Sequence, residues 1–312
     1  MKNEKQIYIV NARRTAVGSL GKSLKSIPAK ILGAEVIKSL INSQNIKGEE
    51  IDEVVIGQVL TGGCGQNPAR QAAIKSGIPI EKPAYIVNQV CGSGLRSVVS
   101  AYQSILSGNS NIIIAGGQEN MSLAPHSIFL REEKKLGNLE LTDTMIKDGL
   151  WDAFNEYHMG NTAENVAEKF QVTREEQDKF ALKSQEKALK AQKEKKFKEE
   201  IVNFKIKSKK AEVDFNIDEH PREGINLQAL TRLKPVFKKD GTVTAGNSSG
   251  INDGAAAVTL MSSSEAKKRN IEKLVSIKSW ASCGVDPALM GTGPIPATKK
   301  ALDLAGWSIK DV

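Results

Sequence analysis

Over the first 120 positions, short apolar runs alternate with apolar residues set at helical spacing. Ile7–Val10 has the look of a buried strand, and Ile31–Ile41 that of an amphipathic helix. The pair returns as a strand over Val54–Leu60 and a helix over Pro68–Lys75, with proline in the first turn, where its missing N–H costs nothing. A third pair follows. Ala84–Val90 predicts a strand, and Leu95–Leu106 a helix whose inward face is read as Leu95, Val98, Val99, Tyr102, Ile105 and Leu106. Asn111–Ala115 predicts the next strand. This alternation predicts an α/β layer with buried strands.

From about Gly117 to Ala245 the pattern changes. Charged and loop-forming residues dominate, and the main regular element is a helix from Arg174 to about Lys195. Thr173 and Glu176 are spaced as a capping box at its start. The stretch reads as a loop domain inserted into the α/β layer. Near Thr242 the α/β character resumes with the apolar run Ala255–Met261 and a short helix over Ser264–Lys268. A strand over Leu274–Ser282 and a helix over Pro296–Ala305 complete the pattern.

Composition narrows the class. A hydrophobic fraction of 40% and a charged fraction of 26% are those of an ordinary globular enzyme. The net charge is +8, with ten lysines between Lys187 and Lys210 beside three glutamates. Aromatic residues make up only 5% of the chain, and the lysines carry no interleaved stacking platform, so nucleic acid is not an expected partner. No signal peptide or long apolar span is visible, and three scattered cysteines make neither a disulfide framework nor a zinc site. The expectation is a cytoplasmic protein that binds no membrane and no metal.

The chemistry centres on Cys91. The run Tyr85-Ile86-Val87-Asn88-Gln89-Val90 leads into it, and Gly92 and Gly94 follow it. That places a thiol where a strand passes into a helix. The helix dipole and free N–H groups there favour the thiolate, and the glycines admit a substrate close to the backbone. Such a thiol is a candidate nucleophile for acyl transfer. Cys64 and Cys283 lack this setting and are read as small buried hydrophobes. Gly246-Asn247-Ser248-Ser249-Gly250 fits the serine-hydrolase pattern, but no histidine follows His220 to complete the required order.

Five ordered segments resemble the thiolase family, and its biosynthetic acetyl-CoA acetyltransferase (acetoacetyl-CoA thiolase) branch in particular. Asn88–Arg96 is similar to the family's nucleophile segment, and Ala115–Ser122 to the strand end and loop after it. Tyr157–Gly160 with Thr162–Asn165 resembles the substrate segment of the loop domain, Thr244–Gly250 the segment along pantetheine, and Gly291–Pro294 the entry to the C-terminal half.

The resemblance implies a layered αβαβα fold. Residues 1–120 and 245–271 would form its N-terminal domain, 121–244 the inserted loop domain, and 272–312 the start of a truncated C-terminal domain. It implies condensation of two acetyl-CoA to acetoacetyl-CoA, and the reverse thiolysis, through an acetyl group carried on Cys91. His158 and Met159 would border the acyl pocket. Ala245 and Ser249 would lie along pantetheine, and Arg222, with His220 beside it, near the adenine and phosphates of CoA. CoA thioesters would be substrates, with no further cofactor. The chain would form a homo-oligomer, a dimer or tetramer, with contacts sought over Gly117–Gly149.

Family members continue beyond the equivalent of Val312. Asn-Glu-Ala-Phe and Gly-His-Pro stretches follow, then a second cysteine, and these supply the family's activating histidine and its acid–base thiol. None occurs in these 312 residues, so the chain is expected to be C-terminally truncated and to turn over poorly alone. Rival readings are a longer-chain 3-ketoacyl-CoA thiolase, a ketoacyl synthase relative and a non-catalytic CoA-binding module.

Overall fold

The computed structural model describes residues 6–44, 46–130, 138–207 and 211–312. Lys209 and Lys210, and residues 131–137 of the segment expected to bear subunit contacts, lie outside the described residues. The chain divides into two compact units. The first comprises residues 1–149, 197–219 and 251–277, and the second residues 150–196, 220–250 and 278–312.

The first unit is built on a seven-stranded mixed sheet. Its strands are β1 (Ile7–Arg14), β2 (Gly18–Ser19), β3 (Glu53–Gly57), β4 (Ala84–Val87), β5 (Ile112–Asn120), β6 (Asn252–Ser262) and β7 (Val275–Ser276). They lie in the order β7-β1-β6-β5-β3-β4, with β2 paired to β6. β3 runs parallel to β4 and β5, while β6 is antiparallel to both β5 and β1.

Both sheet faces are covered. Ile112 and Ile114 point to the side of α1 (Ala29–Ser43) and α2 (Pro68–Lys75), where they join Leu32, Ile37 and Leu40 in one core. Ile113 and Ala115 point the other way, against Ala101 and Ile105 of α3 (Ser93–Ser107). This two-residue alternation between two apolar layers is why β3 and β5 read as continuous apolar runs.

Several predicted elements need correction. The strands expected over Val54–Leu60 and Ala84–Val90 stop at Gly57 and Val87. Beyond them the chain turns into loops that build the site. The strand expected over Leu274–Ser282 is only Val275–Ser276, because pairing with β1 covers just Ile9 and Tyr8. The fully buried residues of α3 are Ser93, Ser97, Ala101 and Ile105, and the predicted Val98 and Tyr102 pack partly buried against the same core, while Leu95 is 74% exposed and Leu106 is exposed as well. Small residues face the sheet because α3 lies close against it. A Cβ on Gly57 would overlap backbone atoms of Ser93 and Gly94. Ser97 Oγ donates to the Gly116 carbonyl at 2.7 Å.

In the second unit α4 (Met159–Lys169) leads to α5 (Arg174–Lys193), the longest helix of the described residues. α5 starts at the predicted capping box. The Thr173 N–H donates to Glu176 Oε2 at 2.8 Å, and the Glu176 N–H returns to Thr173 Oγ1 at 3.3 Å. Glu175 and Glu176 in its first turn, and Lys190 and Lys193 in its last, match the helix dipole. A short helix, α6 (Leu227–Thr231), precedes the loop from Thr242 to Gly250. No helix of the described residues is long and apolar enough to cross a membrane.

Candidate active site

Cys91 stands one residue before Gly92, the N-cap of α3, and is exposed. A tight turn sets it there. Gly92 N–H donates to the Gln89 carbonyl at 3.0 Å, and Ser93 N–H to the Val90 carbonyl at 3.0 Å. The Ser93 hydroxyl ties the same turn twice, accepting from Gln89 N–H at 2.8 Å and donating to the Val90 carbonyl at 2.6 Å. Within the turn Val90 adopts φ +47°, a left-handed conformation that a β-branched residue rarely takes. Its N–H is held by Asn88 Oδ1 at 2.9 Å. Strain of this kind persists only where the surroundings over-determine it, and it clusters at functional sites. No side chain caps the first turn of α3, so its dipole faces the thiol uncompensated.

Cys91 lines a hollow of about 340 Å³ in the first unit. Gly57 and Val59 at the end of β3, Gly117 and Glu119 of β5, and Asp253 with Gly254 of β6 complete its wall. The hollow therefore opens beyond the carboxyl ends of the parallel strands, where open α/β sheets place their ligands. Glycines make the closure tight. A Cβ on Gly117 would lie 3.4 Å from both Gly57 O and Gly94 Cα. Arg14, at the end of β1, also lines the hollow, and Asp218 takes its guanidinium at 2.7 and 3.0 Å with Glu200 on Nε at 2.7 Å.

Sequence reasoning gave Glu119 no role, yet it is a half-buried acid of this wall, beside the fully buried Asp253. Its carboxylate accepts the N–H groups of Val59 at 2.8 Å and Leu60 at 3.2 Å, fixing the chain where β3 ends. Burial pushes its carboxyl above the ordinary range, against the two N–H donors, which act to lower it. The signal in the sequence was a lone acid closing the apolar run Ile112–Ala115.

This has a consequence for pH. Glu119 holds its proton more tightly folded than unfolded. The stability this contributes is complete below the unfolded carboxyl's pKa and is lost as pH rises through the raised folded value. Thermal melts across the mildly acid range should show that loss, and Glu119→Gln should flatten it. An unchanged slope in the variant would place the titration elsewhere.

Cys64 and Cys283 were expected in the core, but both are partly exposed. The Cys64 thiol reaches the Leu60 carbonyl at 3.5 Å, in the loop that follows β3 rather than under the sheet. Among the described residues, no group of three or more His, Cys, Asp or Glu side chains is placed to hold a metal ion.

The other five expected site residues all belong to the second unit. His158 is the N-cap of α4, and its Nδ1 accepts the Gly160 N–H at 3.0 Å. An accepting Nδ1 puts the ring proton on Nε2. Burial holds the imidazole pKa below its ordinary value. The ring stacks on Phe237, with centroids 4.7 Å apart and planes at 21°. A Cβ on Gly160 would overlap the Phe237 ring, so the glycine is what lets this stack approach α4. Met159 is the first residue of the helix and is half-buried.

Ala245 and Ser249 are exposed, on the loop that follows Thr242. Glu164, buried on α4, anchors the start of that loop by accepting from the N–H groups of Thr242 and Val243, both at 2.8 Å, and from Thr242 Oγ1 at 2.9 Å. Arg222 is exposed, and its backbone N–H donates to Gln185 Oε1 of α5 at 2.9 Å.

Comparison with known proteins finds matches over nearly all of this chain. Residues 7–264 match the thiolase N-terminal domain, and residues 271–312 the thiolase C-terminal domain. An acetyl-CoA acetyltransferase of Paracoccus denitrificans is 55% identical over 304 residues, which is 97% of this chain and 78% of that protein. The cytosolic acetyl-CoA acetyltransferase of Rattus norvegicus is 51% identical over 308 residues, 98% of this chain and 78% of that one. The crystal structure of the Bacillus anthracis acetyl-CoA acetyltransferase superposes with a TM-score of 0.96 at 38% identity, covering 99% of this chain and 78% of that chain. With its sheet, its cysteine turn and these matches agreeing, the chain belongs to the thiolase family, in its acetyl-CoA acetyltransferase branch.

Proposed function

We propose that Cys91 is the nucleophile that carries the acetyl group between two coenzyme A thioesters. The observation that carries this is the exposed thiol on a strained turn at the uncapped start of α3, facing a hollow at the strand ends. The Cys91 thiolate adds to the carbonyl carbon of acetyl-CoA, the C–S bond to CoA breaks, and CoA leaves as a thiol after taking up a proton. A second acetyl-CoA loses an α-proton. Its carbanion attacks the acetyl carbonyl on Cys91, forming a carbon–carbon bond and releasing the thiolate with acetoacetyl-CoA. The covalent intermediate divides one hard condensation into two easier steps. Thiolysis is the same sequence reversed.

His158 and Met159 border the acyl group in this reading, with the neutral imidazole offering its Nε2–H as a donor. Ala245 and Ser249 lie along pantetheine, supported by their exposure on one loop, and the exposed Arg222 meets the phosphates. Residues 1–120 with 245–271 form the N-terminal domain, 121–244 the insert and 272–312 the start of the C-terminal domain. A cytoplasmic location fits the similarity to the rat protein named as cytosolic, and the homo-oligomer belongs to this reading through the family resemblance alone.

The test has two parts. Intact-mass and peptide analysis after incubation with acetyl-CoA should place one acetyl group on Cys91. Thiolysis assays should favour acetoacetyl-CoA over longer 3-ketoacyl-CoA substrates, and the expectation of weak turnover by these 312 residues is read in the same assay. An acetyl group on another residue, or preference for the longer substrates, would overturn the reading. Coenzyme A binding without any acylation would leave a non-catalytic binding module.

A further inference from the structure

Asp178 is a carboxylate with no solvent exposure, on the inner side of α5, and the acyl-transfer chemistry has no use for it. A buried charge must be paired, and it is. Arg174, one turn earlier, donates from Nε to Asp178 Oδ2 at 2.8 Å. The same guanidinium donates from Nη2 to the carbonyls of Leu230 and Leu233 at 2.8 and 2.9 Å, which tie it to α6 and the segment after it. The second carboxylate oxygen, Oδ1, receives Asn247 Nδ2 at 3.0 Å.

Asn247 also ties together the loop that contains it. Nδ2 also donates to the Thr242 carbonyl at 3.0 Å, and Oδ1 accepts the Thr244 N–H at 2.7 Å. The loop is further wound by the Ser248 N–H and hydroxyl, both donated to the Thr244 carbonyl at 3.1 and 2.7 Å. Thr244 is thereby buried while Ala245 and Ser249, on either side of the wound segment, are exposed. A side chain at Gly246 would lie 2.6 Å from carbon atoms of both Leu230 and Leu233, so the segment that Arg174 holds is also the floor of the loop.

We propose that Asn247, held by the buried Asp178 that Arg174 pairs, is a positioning residue that presets the Thr244–Ser249 loop to receive the pantetheine arm of coenzyme A. It touches no substrate. It acts through Ala245 and Ser249, by removing alternatives that the loop would otherwise sample before binding. The proposal rests on the reading that this loop lies along pantetheine.

The test is equilibrium binding to the full chain of two probes, coenzyme A and adenosine 3′,5′-bisphosphate, which has the nucleotide end but no pantetheine. Asn247→Ala should weaken coenzyme A about tenfold, the effect of losing a charge-assisted hydrogen bond, and leave the bisphosphate unchanged. Asp178→Ala should do the same, and the double variant no more, because both act through one contact. Asp178→Asn keeps an oxygen for Asn247 Nδ2 and should bind coenzyme A within about threefold of the parent. If Ser249→Ala weakens coenzyme A and Asn247→Ala does not, the positioning role is wrong while the loop reading stands. If neither variant changes coenzyme A binding, the loop reading itself fails. If Asn247→Ala weakens both probes alike and lowers the melting temperature, the residue merely holds the unit together and the proposal is overturned.

Discussion

Replacing Cys91 with serine is expected to cut acetyl transfer by roughly a thousandfold or more, the scale on which an enzyme's attacking group acts. The swap changes one atom and leaves the turn intact, since the hydrogen bonds that shape it come from backbone groups and from Asn88 and Ser93. What it removes is sulfur, whose thiolate is a far stronger nucleophile than an alcohol. A serine hydroxyl stays protonated and attacks poorly unless a base takes its proton. Cys91 is exposed, so its loss leaves no core cavity, and coenzyme A affinity and melting temperature should both match the parent. Cys64→Ala and Cys283→Ala are the controls, as neither residue lies in the wall of the hollow. Single-turnover transfer from acetyl-CoA, read by mass, is the measurement. Acetylation that survives in Cys91→Ser at the parent's rate would mean another residue is the nucleophile.

Gly57→Ala should be nearly as damaging by another route. The new Cβ would overlap the Ser93 carbonyl group and the Gly94 nitrogen. These are backbone atoms in the first turn of α3, so no change of rotamer relieves the clash. The helix is not free to lift away either, because Ser97 is bound to the Gly116 carbonyl and Ala101 and Ile105 are buried against the sheet. Overpacking of this kind costs about 3 kcal/mol, the upper end of its usual range. In a chain this size that lowers the melting temperature by roughly 5 °C. The part of the strain taken up by tilting α3 moves Cys91 with it, and a displacement near 1 Å at a reacting group costs about a hundredfold in rate. Melting curves and single-turnover acylation should fall together. Gly284→Ala, where an added Cβ meets nothing within 4 Å, should change neither. A Gly57→Ala protein that melts and acylates like the parent would show that β3 and α3 are less closely pressed than described.

Much of this was legible in the sequence, and the exceptions share a cause. α2 falls on the predicted Pro68–Lys75, and the capping box of α5 forms as spaced, because proline, threonine and glutamate act locally. The inner face of α3 was read correctly at Val98, Tyr102 and Ile105 but not in its first turns, because pattern recognition weighs large apolar side chains. Here glycines at 57, 94 and 117 bring the helix so near the sheet that only small residues such as Ser97 fit between. Serine counts as polar in such a pattern, and Leu95 as buried.

At the site, Cys91 was conspicuous because glycines flank it. The left-handed Val90 that aims it was not, since a β-branched residue takes that conformation only when tertiary contacts impose it. Glu119 and Asp178 were missed for a related reason. Acids are presumed to face water, and only the packed structure shows which ones are enclosed.

The place of β6 in the sheet bears on how the chain is born. Ile7 pairs with Ser262, and Asn120 with Asp253, so β6 is the strand that joins β1 to β5. At ordinary translation speeds the ribosome needs on the order of ten seconds to pass from β5 to β6. Throughout that interval β1 and β5 wait with open edges, and the wall that will face Cys91 lacks its Asp253 side. The nascent chain is thus a natural client for chaperones that shield strand edges, and a pause in synthesis shortly before Asn252 would prolong its most aggregation-prone stage.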